Sequence, residues 1–202
     1  CVQPHYDDND IGAGGTLADG LGKRWELENV ALRLWPSATT IQGVITAMFD
    51  LVEKHRVDPA QVKKLRVSMN KTGVDMHGIF PRYQGKFEAL LSTHYAAAAI
   101  LHDRALTLAQ FEPARYNDPK LARFAAEQVE MKVDPSLSGV QCVVEAQIAD
   151  GRTLSVRCEH PRGSPENPLT RAQIEEKFRT YAKALLPGVG IEETIRAITN
   201  LE

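Results

Sequence analysis

Ser92-Thr93-His94-Tyr95-Ala96-Ala97-Ala98-Ala99-Ile100-Leu101 is the run on which the reading of this chain turns. Alanine is the strongest helix former because it has no side-chain rotamers to lose, so the run is helical. Its small side chains also let neighbouring elements come close, which marks a tightly packed helix. A serine, a threonine, a histidine and a tyrosine stand at its head. On a rigid mount they can aim hydroxyl and imidazole groups into a cleft. The same residues also suit plainer parts, Ser92 and Thr93 as turn or cap groups and Tyr95 as a core aromatic with its hydroxyl satisfied.

Working outward, the helix is expected from Gln84 to His102, after a loop over 70–83 that holds Gly73, Gly78 and Pro81. Upstream, residues 1–24 read as a glycine- and aspartate-rich linker. Trp25 to Trp35 alternates as an extended segment halted by Pro36. Thr39 to Arg56 places Ile41, Val44, Ile45, Met48, Phe49 and Val52 at helical spacing. Lys64–Met69 is a short strand. Downstream, a helix is expected over Lys120–Ala126 and strands at 129–133, 140–148 and 153–158. The last two are joined through Asp150-Gly151, a strong hairpin signal. Helices on either side of a three- or four-stranded, mainly antiparallel sheet make an α+β domain over residues 25–162.

The tail, residues 163–202, changes character. Thr170 and Gln173 have capping-box spacing, and Ile174, Phe178, Tyr181 and Leu185 share one helical face. Pro187, Gly188 and Gly190 are expected to close that helix before a last one over Ile191–Leu201. Two such helices need a partner face outside the sheet domain.

The 202 residues carry 24 basic and 26 acidic side chains, a net charge of −2, so there is no electrostatic footprint for nucleic acid or an anionic membrane. Three cysteines, Cys1, Cys142 and Cys158, are too few and too unevenly spaced for a disulfide framework, which makes a reducing cytoplasm the default. His5, His77 and Asp75 do not form a spaced metal set, so no metal is expected. With Cys1 rather than methionine at its start, the chain reads as a processed product or a piece of something longer.

Several stretches together resemble the second half of the MmgE/PrpD family. Gly20-Leu21-Gly22 with Trp25 is similar to its link out of a helical domain, and Leu32-Arg33-Leu34-Trp35-Pro36 to its Phe-Lys-x-Tyr-Pro segment. Glu88-Ala89-Leu90-Leu91-Ser92-Thr93-His94-Tyr95-Ala96 resembles a Glu-Ala-Gln-Phe-Ser-x-x-Tyr-x-x-Ala helix. Gly163-Ser164-Pro165, Asn167-Pro168-Leu169-Thr170 and Lys177-Phe178 resemble its Gly-x-Pro-x-Asn-Pro-Leu-Thr and Lys-Phe signature. The resemblance covers roughly residues 20–186, and the shared order of the pieces makes it specific.

The resemblance implies a small α+β lid whose chain returns to an all-helical domain missing here. It also implies cofactor-independent chemistry on small di- and tricarboxylic acids, in which a proton next to a carboxylate is removed and water or carbon dioxide is lost, or the proton is returned to the other face. A homodimer is the implied assembly. Tyr95 matches a tyrosine turned toward substrate, as proton donor or oxyanion partner. Arg33 stands where the family carries lysine; a guanidinium can anchor a carboxylate but stays protonated. Ser92 and His94 complete the expected substrate-binding set. Ala38 and Gln42 replace residues that can titrate in the family, which leaves open a divergent branch or a non-catalytic binding or regulatory fragment.

Overall fold

A computed structural model describes residues 22–23 and 25–201. The expected linker over residues 1–24, with the family-like Gly20-Leu21, lies outside them except at Gly22 and Lys23. The chain divides into two compact units, one ending at Asn167 and the other starting at Pro168.

The first unit is built on a four-stranded sheet, β1 (Val62–Met69), β2 (Val129–Val133), β3 (Cys142–Ile148) and β4 (Thr153–Cys158), in the order β2-β1-β3-β4. β1 runs antiparallel to β3 and parallel to β2, and β3 and β4 form the expected hairpin. Its turn closes with Gly151 N–H donating to Ile148 O at 3.0 Å, and Gly151 takes the left-handed φ of 93° that favours glycine.

Side chains alternate across the sheet. Leu65, Val67, Cys142, Val144, Ala146, Val156 and Cys158 are buried on one face. The other carries Lys64, Arg66, Glu130 and Glu145, with Arg66 between the two carboxylates at 3.0 and 3.7 Å. A ladder of charges cannot be covered by apolar helices without unpaired desolvation. The core helices accordingly share one face of the sheet, where the sequence suggested both.

The helices explain that face. In α1 (Gln42–His55), entered by a 3-10 turn over Thr39–Ile41, the expected stripe of Ile41, Val44, Ile45, Met48, Phe49 and Val52 is buried, joined by Leu51. Each such side chain contributes about 1.5–3 kcal/mol by leaving water. Arg56 ends the helix in the left-handed region. Contrary to the expected loop over 70–83, α2 (Lys71–His77) forms because Asn70 Oδ1 accepts from Gly73 N–H at 2.7 Å. Such a cap is worth about 1 kcal/mol, comparable to the helical penalty of Gly73.

The expected helix from Gln84 to His102 is two helices, α3 (Lys86–Leu91) and α4 (Thr93–Asp103). Between them Ser92 is extended, with φ −81° and ψ 119°. Every residue of α4 from Tyr95 to Leu101 is at most 1% exposed, so the alanine run is enclosed on all sides. Two short elements follow: α5 (Pro113–Tyr116), and α6 (Pro119–Glu127), whose N-terminus Asp118 caps. The segment expected to be extended from Trp25 to Trp35 opens instead with a 3-10 turn, Glu26–Asn29, and Leu27, Val30 and Leu32 are exposed.

The second unit pairs α7 (Arg171–Ala182) with α8 (Gly188–Thr199). The Thr170–Gln173 capping box is formed in both directions. Gly188 and Gly190 lie within the first turn of α8 rather than closing α7, because Pro187 starts a helix where its missing N–H costs nothing. Ile174, Phe178, Ile195 and Ile198 line an apolar groove, and among the described residues of this unit only Ile191 is buried. No described helix of the chain is long and apolar enough to cross a membrane.

Candidate functional site

The polar groups of the first unit concentrate where the approach to α1 meets the break between α3 and α4. Ser37 donates to Leu90 O at 2.5 Å, and Arg33 Nη1 donates to Ser37 O at 3.3 Å. Arg33 is an exposed residue. The Gln42 amide nitrogen reaches the Trp35, Ser37 and Ala38 carbonyls, each at 3.3 Å, and so pins the turn that carries Arg33. Trp35 stacks on Phe49 of α1, ring centres 5.0 Å apart.

His77, at the end of α2, enters the same seam. Its Nδ1 lies 3.0 Å from Leu91 O, and its Nε2 lies 2.6 Å from Thr40 Oγ1. A carbonyl only accepts, so Nδ1 carries the proton and Nε2 accepts from the Thr40 hydroxyl. Burial holds this imidazole below its ordinary pKa, against the opposing effect of the Leu91 carbonyl.

Ser92 is fully buried and committed. Its hydroxyl donates to Ile79 O at 2.7 Å, accepts from Tyr95 N–H at 3.2 Å and meets the Tyr83 hydroxyl at 2.9 Å. Burial raises the Tyr83 phenol to about 12. His94 sits edge-on to Phe80, an exposed aromatic, and its Nδ1 is buried without a partner, as is Thr93 Oγ1. Burial also lowers the His94 pKa, with the Ile79 carbonyl opposing.

Tyr95 points elsewhere. Its ring packs between Tyr83 and Phe111, and its hydroxyl donates to Gln110 O. Burial pushes this phenol well above its ordinary pKa, and the nearby Arg115 pulls the other way. Arg115 itself is clamped by Asp103 and Asp118.

Of the four residues expected from sequence, Ser92 and His94 therefore stand together under Ile79 and Phe80, and Arg33 joins them through the Ser37–Leu90 bond. The Tyr95 hydroxyl is turned to the Gln110 carbonyl. Thr40 and His77 enter the same seam, and the sequence signals for them are the Asn70 cap that makes α2 and the place of Thr40 between Ala38 and Gln42. No three His, Cys, Asp or Glu side chains come together as a metal site among the described residues.

Residues 35–202 match the MmgE/PrpD C-terminal domain. The chain belongs to the MmgE/PrpD family. It is similar to human cis-aconitate decarboxylase, 30% identical over 118 residues, which is 57% of this chain and 24% of that protein. The mouse cis-aconitate decarboxylase is 27% identical over 125 residues, 60% of this chain and 26% of that protein. The chain thus spans about a quarter of the length of the curated relatives it matches. In MmgE/PrpD terms, the seam between Arg33 and His94 lies within or just before the matched domain, and so does every strand of the sheet.

Proposed function

We propose that this chain is the lid half of a cofactor-independent lyase or isomerase that removes a proton next to a carboxylate of a small di- or tricarboxylic acid in the cytoplasm. The observation that carries this reading is the family match over residues 35–202, supported by similarity to decarboxylases whose named substrate, cis-aconitate, is a tricarboxylate. The groove lined by Ile174 and Phe178 is assigned to docking on an all-helical domain, in the same protein or on another chain, and the complete enzyme to a homodimer.

Arg33 anchors a substrate carboxylate, its guanidinium steadied on the Ser37 carbonyl. His94 lies beside this seam with Nδ1 buried and unpartnered, a group that ligand binding would have to uncover, and Ser92 holds the turn next to it. Tyr95, which the family resemblance implies as proton donor or oxyanion partner, enters as a positioning residue: its hydroxyl is committed to Gln110 O and burial opposes its ionisation. A second reading, a non-catalytic binding piece, is favoured by Ala38 and Gln42, where this chain lacks titratable groups.

The test is to incubate the full-length protein in deuterated water with a panel of small polycarboxylic acids that includes cis-aconitate. Deuterium entering one acid next to a carboxylate is the expected result. Saturable binding by calorimetry with no exchange would select the binding reading, and neither exchange nor binding would overturn both.

A further inference from the structure

Two thiols lie away from this seam, on the buried face of the hairpin. Cys142 opens β3, Cys158 ends β4, and the two are direct partners in the antiparallel register. Directly opposed residues bring their Cα atoms about 4.5–5.5 Å apart, inside the roughly 4.4–6.8 Å span of a disulfide. Both side chains point to the apolar face with Val144 and Val156, and the thiols hydrogen-bond each other. They are free cysteines in this structure. We infer that Cys142 and Cys158 form an oxidation site, closing to a cross-strand disulfide when the protein meets hydrogen peroxide.

The two thiols are not equivalent. Cys142 is completely enclosed, its Sγ lying 3.8 Å from where a side chain on Gly43 would begin, under the first turn of α1. Cys158 is slightly exposed, at the end of a strand that forms the sheet edge. The hydrogen bond from Cys142 favours the Cys158 thiolate, helped by Arg162 and opposed by burial, Asp50 and Glu159. Cys142 correspondingly holds its proton. Cys158 is therefore the attacking sulfur.

The chemistry balances without another reagent. The Cys158 thiolate attacks one peroxide oxygen, an S–O bond forms, the O–O bond breaks, and the departing hydroxide takes up the thiol proton as water. Cys142 sulfur then attacks the sulfenic sulfur, an S–S bond forms, the S–O bond breaks, and the hydroxyl leaves with the Cys142 proton as a second water. Two thiols lose two electrons and peroxide gains them.

The experiment treats the folded full-length protein with hydrogen peroxide, blocks remaining thiols, and maps peptides without reduction. The expected result is a Cys142–Cys158 linked peptide that dithiothreitol separates, with a higher melting temperature for the oxidised protein because the native geometry accommodates the bond. In Cys142→Ser the reaction should stop at a Cys158 sulfenic acid that dimedone traps. Should that variant fail to fold, the wild-type map and melting curve decide alone. Unlinked cysteines, Cys158 carried to sulfinic acid, or a lowered melting temperature on cross-linking would each overturn the inference.

Discussion

The Thr40 hydroxyl donates to His77 Nε2 across 2.6 Å, and this bond ties the approach to α1 to the end of α2. The two residues are 37 positions apart. Thr40 lies between Ala38 and Gln42, neither of which can titrate, and the fold brings an imidazole to the same turn from another segment. Thr40→Val would leave Nε2 buried without a donor, at a cost of about 1–3 kcal/mol. Urea unfolding of the full-length protein checks this, and Thr40→Ser should recover most of the loss.

Burial keeps both His77 and His94 below the ordinary histidine value of 6.5. As pH falls through that value the unfolded chain takes up protons that the folded chain refuses, so stability declines. The stability is present above pH 6.5 and is lost toward the lower folded-state values. Melting temperature should drop between about pH 7.5 and 5.5, and it should drop less in His94→Gln, where one of the two titrating groups is gone.

Tyr95→Phe removes the donor to the Gln110 carbonyl while keeping the ring between Tyr83 and Phe111. A loss of about 1 kcal/mol in unfolding free energy is expected. On the proposed function, kcat of the full-length protein should stay within a few-fold of wild type. A fall on the order of 100-fold at unchanged stability would return Tyr95 to the chemistry.

On the proposed anchoring role, Arg33→Ala should raise KM for the acid with a smaller effect on kcat, because an anchoring guanidinium binds ground state and transition state alike. Steady-state kinetics on the acid found by deuterium exchange give the answer. Arg33→Lys should recover only part of the binding, since an ammonium lacks the two-pronged geometry.

Two backbone positions make opposite predictions. A methyl group on Gly43 would lie 1.9 Å from Val140 O, so Gly43→Ala should destabilise by about 1–3 kcal/mol or prevent folding. Arg56 is held at φ 47°, where glycine is at ease, and Arg56→Gly should stabilise by about 0.5–1 kcal/mol. Thermal melts of the two variants side by side test both.

The sequence by itself determined the elements whose signals are local. The stripe of α1, the hairpin at Asp150-Gly151, the capping box at Thr170 and the family motifs all depend on neighbours a few residues apart, which periodicity and turn chemistry expose. It also put Ser92 and Tyr95 at the head of a tightly packed helix, and left open where their hydroxyls bond. Only the tertiary structure decided those partners. Ser92 breaks one expected helix into two because its hydroxyl finds both Ile79 O and Tyr95 N–H, and Tyr95 is enclosed because Gln110, fifteen residues on, brings a carbonyl to it. The meeting of His77 with Thr40 and the restriction of the core helices to one face of the sheet were likewise decided by contacts between distant segments. A sequence shows which groups are present and how they repeat; which buried donor finds which acceptor depends on how the elements pack.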